Sequence, residues 1–542
     1  MTNLEIAQAA TLRNISDVAA QYGLQDDDFE PLGRFKAKLS SAGVERFRGR
    51  PRGKLVLVTA VNPTPAGEGK TTTTVGLAQG LNRIGAQAIP AIREPALGPI
   101  FGTKGGACGG GYSQVLPMED INLFFTGDFP AISAAHALLS AMLDAHIHHG
   151  NELDIDLRAE RWPRTVDMND RALRNIVVGL GNGNGVARED GFVITPASEV
   201  MAILCLSSSI SDLKARLGSI VVGRNRSKAP VTAKDLQAHG AMCALLATAL
   251  RPNLVQTLEG GLAVVHGGPF GNIAHGCSSL VSTESALGIA DFVVTEAGFG
   301  ADLGSEKFLN ILCPKLGQGP DVIVLVATVR ALAHHGGGDL EFGSANLSHH
   351  IQQLRQYGPP VIVAINRRAD DAESDHQLLL SKVSQMGVKA VVCDPWGGGG
   401  AGCEALASLV KSAAEETSTF QTIYTGEDPF ETKLTNVVRK VYGGASVTLT
   451  DRARKNLRWL ETNGFAQLPI CVAKTQYSVS DDPSKLNAPQ GFTLTVREIR
   501  LSAGAGFLVV VCGDMLLMPG LGKTPAAQKI DVDEHGTISG LF

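Results

Sequence analysis

The sequence predicts an α/β protein in which one large parallel sheet is joined by two smaller α/β units. Three observations carry that expectation. Short runs rich in Val, Ile, Leu and Ala alternate with stretches of helical periodicity, the rhythm of repeated strand–helix units. Many of these runs end in a polar, glycine-bearing turn, and Gly supplies 62 of the 542 residues, enough for numerous tight connections. The stretch 54–85, KLVLVTAVNPTPAGEGKTTTTVGLAQGLNRIG, contains one such unit in full.

Within that unit, 54–61 is a β-branched apolar run of the kind that makes a strand buried on both faces. Residues 62–69 form a Pro- and Gly-rich turn, and from Lys70 the residues Val75, Leu77, Ala78, Leu81 and Ile84 recur at helical spacing. Strand, glycine loop, Lys-Thr and helix together make a phosphate cradle. Loop amides and the helix N-terminus face the oxygens, Lys70 neutralises charge, and the Thr71 hydroxyl suits Mg²⁺. The expected nucleotide-binding residues are Thr64, Pro65, Ala66, Gly67, Glu68, Gly69, Lys70 and Thr71. Thr64 stands where the usual pattern opens with Gly, so the loop is a variant. The competing reading is a plain turn with a chance Gly-Lys-Thr, which the flanking strand and helix disfavour.

Residues 1–50 read as a polar, amphipathic helical lead-in that ends at Gly49-Arg50-Pro51-Arg52-Gly53. After the loop, 86–92 is a second strand, and Arg93 follows it at the edge where parallel sheets collect ligands. Residues 101–112, FGTKGGACGGGY, are too glycine-rich for regular structure. They read either as a loop approaching a ligand with Lys104 at its tip or as a lid without contacts. A helix is expected over 129–146. The nearby His146, His148 and His149 read as exposed or hydrogen-bonded, since no Cys or carboxylate stands at metal-ligand spacing.

Further runs at 193–195, 220–222, 262–266, 292–295 and 322–329 repeat the rhythm, and the turn 296–304, EAGFGADLG, faces the phosphate loop in this reading. Strands are also expected at 361–366 and 390–394, followed by Trp396 and four glycines. Trp396 is either a stacking surface for a flat ligand or a hydrophobic plug. Helices over 429–442 and 451–463 and strands at 470–473, 492–496 and 507–511 complete the chain, which divides into 1–360, 361–445 and 446–542.

The formal charge of −5 and a pI near 6.2 give no electrostatic basis for nucleic acid or an anionic membrane as partner. No apolar run approaches the roughly 18–20 residues needed to span a bilayer. Residues 1–30 lack the pattern of a secretion signal, and nine scattered cysteines without CxxC spacing fit reduced thiols in a cytoplasmic protein.

Several segments then carry a resemblance: TPAGEGKT (64–71), REPALGP (93–99), KGGACGGGY (104–112), VDMNDRALRNI (166–176) and IAHGC (273–277). TEAGFGADLGSEKF (295–308), VATVRAL (326–332), AKTQYSVSDDP (473–483) and SAGAGF (502–507) continue it. Over essentially its whole length the chain resembles the formate–tetrahydrofolate ligase family, also called formyltetrahydrofolate synthetase. The resemblance implies ATP-dependent ligation of formate to tetrahydrofolate through formyl phosphate, giving 10-formyltetrahydrofolate, ADP and phosphate. It also implies Mg²⁺, a place for a monovalent cation, and a homotetramer.

By the same resemblance Lys70 and Arg93 are catalytic, with Arg93 holding formyl phosphate; Trp396 binds folate and Phe299 belongs to the nucleotide pocket. The family usually has His where Phe124 and Pro130 stand, Lys at Glu284, Ala333 and Gly398, and an aromatic residue at Arg368. The expectation is an intact phosphate machinery joined to an altered acceptor pocket. An ordinary ligase, a paralogue with altered acid or acceptor or weak activity, and an ATPase switch sharing only the phosphate loop all stay open.

Overall fold

The computed structural model describes residues 1–65, 67–102, 108–158 and 162–541. Ala66 and Lys104, both singled out above, lie outside the described residues. Among the described residues the central sheet has twelve strands. They are β1 (Phe29–Pro31), β2 (Ala37–Leu39), β3 (Lys54–Ala60), β4 (Ala88–Ile92), β5 (Gly109–Gly110) and β6 (Ser113–Leu116), then β7 (Asn253–Thr257), β8 (Leu262–Val265), β9 (Phe292–Glu296), β10 (Val322–Ala327), β11 (Val361–Asn366) and β12 (Lys389–Cys393). The order across the sheet is β1-β2-β7-β8-β4-β9-β3-β10-β11-β12, with β6 beside β7 and β5 beside β6.

From β8 to β12 the neighbours run parallel, so the loops after β4, β9, β3, β10 and β11 open on one edge. The strand β3 lies between β9 and β10, and all but its first residue are buried. Its continuous apolar run is explained by two covered faces: Leu55 and Leu57 enter one core, Val56, Val58 and Ala60 the other. Helix α1 (Lys70–Arg83) follows the phosphate loop and packs Leu77, Ala78 and Leu81 against Leu406, Ala407 and Val410 of the helix Glu404–Ala413. Gly80 permits that approach, since a Cβ there would lie 3.0 Å from the Cys403 backbone.

Several expectations need adjustment. Residues 97–102 form a short helix and Gly109–Gly110 pairs with Ser113–Leu116, so the glycine-rich stretch is partly regular. The run at 220–222 becomes Val221–Arg224 in a separate antiparallel pair with Pro230–Thr232, outside the central sheet. Strands β11 and β12 are in register with β10, so a division at 361 falls inside one hydrogen-bonded sheet. Helix α2 (Asp128–His148) covers the predicted 129–146, and His146 Nε2 accepts a hydrogen bond from the Leu153 amide.

The C-terminal region adds β13 (Ser446–Leu449), β14 (Ile470–Ala473), β15 (Thr493–Val496), β16 (Glu498–Ser502) and β17 (Phe507–Val511). β13 pairs with β15, and β14-β17-β16 form a three-stranded sheet whose apolar residues join the main core. Among the described residues no helix is long and apolar enough to cross a membrane.

Candidate active site

The phosphate loop begins at Asn62, directly beyond β3, and closes on itself through Glu68. This buried carboxylate (1% exposed) accepts from both the Thr64 amide and the Thr64 hydroxyl at 2.8 Å, while its second oxygen accepts from the Thr328 hydroxyl. The departure at Thr64 therefore has a local reason, because a hydroxyl and amide at that position tie the loop shut. Gly67 and Gly69 have φ of 78° and 73°, the left-handed region in which only Gly is unstrained. Loop carbonyls are drawn outward: Arg330 donates to Gly67 O at 3.0 Å and Asn366 Nδ2 to Glu68 O at 3.0 Å. Turning carbonyls away favours a lining of N–H groups for an anion. Pro65 is exposed at the loop tip.

Lys70 and Thr71 open α1, both half-buried. The Thr71 hydroxyl donates to Glu296 Oε2 at 2.8 Å, and Glu296 Oε1 lies 3.8 Å from an Arg93 guanidinium nitrogen. Because β4, β9 and β3 are neighbours, Arg93, Glu296 and the phosphate loop emerge side by side from their C-terminal ends. Glu296, 2% exposed, opens the turn 296–304 that the sequence reading set opposite the phosphate loop without giving this residue a role of its own. Its signal is a lone carboxylate ending an otherwise apolar parallel strand. Arg93 also donates to Pro269 O at 3.2 Å, and its Nε is buried without a partner among the described residues. A Cβ at Gly298 would sit 3.1 Å from the guanidinium, so Gly gives Arg93 its room. Phe299 has φ of 63° and stands against Gly271, on the Arg93 side of the site.

His275 also sits here. It is fully buried, neither ring nitrogen has a hydrogen-bond partner among the described residues, and burial together with Arg93, Lys307 and Lys315 lowers its pKa to about 3. It is thus a neutral imidazole beside a cationic site.

A second network anchors the base of the loop. Asn62 Nδ2 donates to Asp302 Oδ1 at 3.0 Å, and Asp302 Oδ2 pairs with Lys474 Nζ at 2.6 Å, both charged side chains being 0% exposed. Asn62 Oδ1 lies 2.9 Å from Asn346 Nδ2 and 3.0 Å from His350 Nε2, while Asn62 O accepts from His335 Nε2 at 3.0 Å. Burial lowers the Lys474 pKa against the opposing pull of Asp302.

Trp396 follows β12 on the short helix Pro395–Gly398, which packs on α1: a Cβ on Gly76 would lie 2.9 Å from Pro395 Cβ. Trp396 is 47% exposed, its Nε1 donates to Asn3 Oδ1 at 3.2 Å, and its carbonyl accepts from the Tyr112 amide at 2.9 Å. Gly110 and Gly111 thus support this ring: a Cβ on Gly110 would lie 3.3 Å from it. The structure joins Thr71 to Arg93 through Glu296, and Trp396 takes no part in that contact.

The replacements divide in the same way. Phe124 is 67% exposed beside Thr126, and Pro130 occupies the first turn of α2, where no helix bond needs its missing N–H. Arg368 follows β11, its amide donating to Asp371, and Gly398 has open space around it next to Trp396. Ala333 lies on the helix Val329–His335, which begins at Thr328 against Glu68. Glu284 is different. It is buried at the opposite end of β3, where Arg48 at 2.6 Å and Arg52 at 3.4 Å neutralise it. It therefore does not belong with the acceptor pocket, and the two arginines on the preceding segment explain an acid there.

The chain matches the family described as formate–tetrahydrofolate ligase over residues 1–542. A formate–tetrahydrofolate ligase of Methylibium petroleiphilum is 53% identical over 559 residues, covering 100% of both chains. One of Symbiobacterium thermophilum is 53% identical over 555 residues, again with 100% of each covered.

Proposed function

The chain belongs to the formate–tetrahydrofolate ligase family, and from that premise we propose how its residues perform ATP-dependent ligation of formate to tetrahydrofolate. The observation that carries the reading is Glu296, which touches Thr71 of the phosphate loop and faces Arg93, so that one anion can meet both. Loop amides and Lys70 hold the ATP phosphates. A formate oxygen attacks the terminal phosphorus, the bond to ADP breaks, and formyl phosphate stays on Arg93, whose planar fork matches phosphate oxygens. The tetrahydrofolate amine then attacks the formyl carbon and the carbon–oxygen bond to phosphate breaks. The departing phosphate is itself a strong base and takes the amine proton, so the step needs no imidazole at Phe124 or Pro130.

Thr71 Oγ1 and Glu296 Oε2 are hard oxygen donors 2.8 Å apart, a set that fits Mg²⁺. The ion when bound offsets the charge of the nucleotide phosphates. Trp396 offers its open face to the pterin, and Phe299 borders the nucleotide phosphates from the Arg93 side. A monovalent-cation requirement, a homotetramer, cytoplasmic location and a separate unit at 446–542 belong to the same proposal. The exposed apolar tip carried by Val177, Leu180 and Val186 supports self-association.

The deciding experiment is ADP release with and without formate and tetrahydrofolate, with mass detection of 10-formyltetrahydrofolate. Formate-dependent release and product formation are expected, and ADP release indifferent to formate refutes the reading. A panel of small acids tests the second reading, an altered acceptor or acid, which the open space at Gly398 and Arg368 in place of an aromatic wall support.

A further inference from the structure

A cavity of about 570 Å³ lies where β14, β16 and β17 face the helix Glu199–Leu206 and the strand Phe192–Ile194. Lys70, Thr71, Arg93, Glu296, Phe299 and Trp396 take no part in its lining. Protein interiors are close-packed, so a space of this size on structured walls falls in the range of small-molecule sites.

Its floor is apolar, built from Ile273, Phe507, Val509, Met515 and Leu517. Its polar wall holds four arginines, Arg174, Arg224, Arg452 and Arg500, against two carboxylates, Glu199 and Glu498. These cations are held in place. Glu498 accepts from Arg452 at 3.0 Å and lies 3.1 Å from Arg500 Nε, and Arg174 Nε donates to Met518 O at 2.8 Å. Arg224 stacks 3.9 Å from the Trp459 ring centre, and Trp459 Nε1 donates to Lys228 O at 2.8 Å, so that wall is rigid as well. Fixed guanidinium groups at the rim of an apolar hollow lower the ordering cost of binding a carboxylate. Burial pushes the Glu199 carboxyl up to about 7 and its Oε1 is taken by the Gly504 and Ala505 amides, so four arginines still outnumber the negative charge on this wall.

We propose that this cavity is a second binding site, taking a small carboxylate with a flat apolar body: the carboxylate meets the arginine wall and the body lies on the floor. The site is linked to the phosphate machinery by sequence continuity. Ile273 and Ala274 line the cavity, and the next two residues, His275 and Gly276, back Arg93 through the bond from the Gly298 amide to Gly276 O at 2.8 Å. A ligand on Ile273 therefore loads the segment behind Arg93 and changes the KM for formate.

The test uses the full chain and two probes, 1-naphthoate and the neutral 1-naphthalenemethanol, in isothermal titration. One saturable naphthoate site is expected, with the alcohol at least about tenfold weaker because the charge-assisted contacts are lost. Arg500→Glu at the partly exposed rim weakens naphthoate by about tenfold or more, and Ala197→Phe fills the hollow and removes binding. Circular dichroism checks that both variants fold, and retained ADP release provides a second check on Arg500→Glu. Naphthoate at saturation shifts the formate KM of the parent and leaves that of Arg500→Glu unchanged. Absent saturable binding, equal affinity for the alcohol, displacement by Mg-ATP or tetrahydrofolate, or binding untouched by both variants would each overturn the site. Binding without any change in formate KM would overturn its link to Arg93. The titrations need no turnover, so they stand or fall separately from the ligase assignment.

Discussion

Replacing Glu68 by Ala removes the acceptor of three hydrogen bonds at once: the Thr64 amide, the Thr64 hydroxyl and the Thr328 hydroxyl. Hydrogen bonds to a charged partner contribute about 1.5–3 kcal/mol each, and a buried donor left unpaired costs about 1–3 kcal/mol. Two of these bonds hold the loop to itself and one holds it to the helix Val329–His335. Part of the loss is recovered by solvent entering the loosened loop, which leaves about 3 kcal/mol for ATP to supply when it orders the cradle. At 1.4 kcal/mol per decade that is about a hundredfold rise in the ATP KM. The central sheet is untouched, so the fold should survive, as circular dichroism will show. Glu68→Gln keeps one acceptor for Thr64 and should fall within about tenfold of the parent. The assay is ADP release at saturating formate across an ATP series. A folded Glu68→Ala protein whose ATP KM stays within about twofold of the parent would refute the idea that this carboxylate shapes the loop.

Arg93→Ala should abolish formate-dependent ADP release in a protein that still folds, and Arg93→Lys should rescue little because an ammonium lacks the fork; turnover at the parental rate would count against it. Lys474→Met strands the buried Asp302 carboxylate and should cost about 3–5 kcal/mol in a denaturation curve. Burial raises the Glu306 carboxyl from 4.5 to about 7, so the folded state keeps a proton that the unfolded state has released. Stability from this residue therefore falls as pH rises through that window, and Glu306→Gln should gain on the parent by about 3 kcal/mol between pH 4.5 and pH 7, read from paired melts. Arg368→Phe combined with Gly398→Lys should tighten tetrahydrofolate in a titration; unchanged affinity would remove both from the acceptor pocket.

The unit from β3 through α1 was readable from the chain because each signal is local. A strand covered on both faces needs an unbroken apolar run, and the loop needs its glycines and Lys-Thr in order. Arg93 was readable for a similar reason, as the residue ending a strand. Glu296 and His275 entered the sequence reading only as members of longer segments, because what each side chain touches is set by distant parts of the chain. Their importance depends on β9 lying between β4 and β3, a pairing between residues some two hundred positions apart in sequence. The same non-locality misled at Glu284, whose helix runs to the opposite edge of the sheet, and at 220–222, an apolar run that pairs with its own neighbour. Thr64 marked the loop as a variant, and Glu68, four residues later, supplies the partner that explains it.

Lys474 sits late in the chain, yet its charge balances Asp302, which steadies Asn62 at the base of a loop completed about four hundred residues earlier. The loop residues and their counter-charge are thus supplied by opposite ends of the chain. A chain that stops short of this lysine leaves the buried Asp302 carboxylate without its cation, beneath a loop whose own residues are all present.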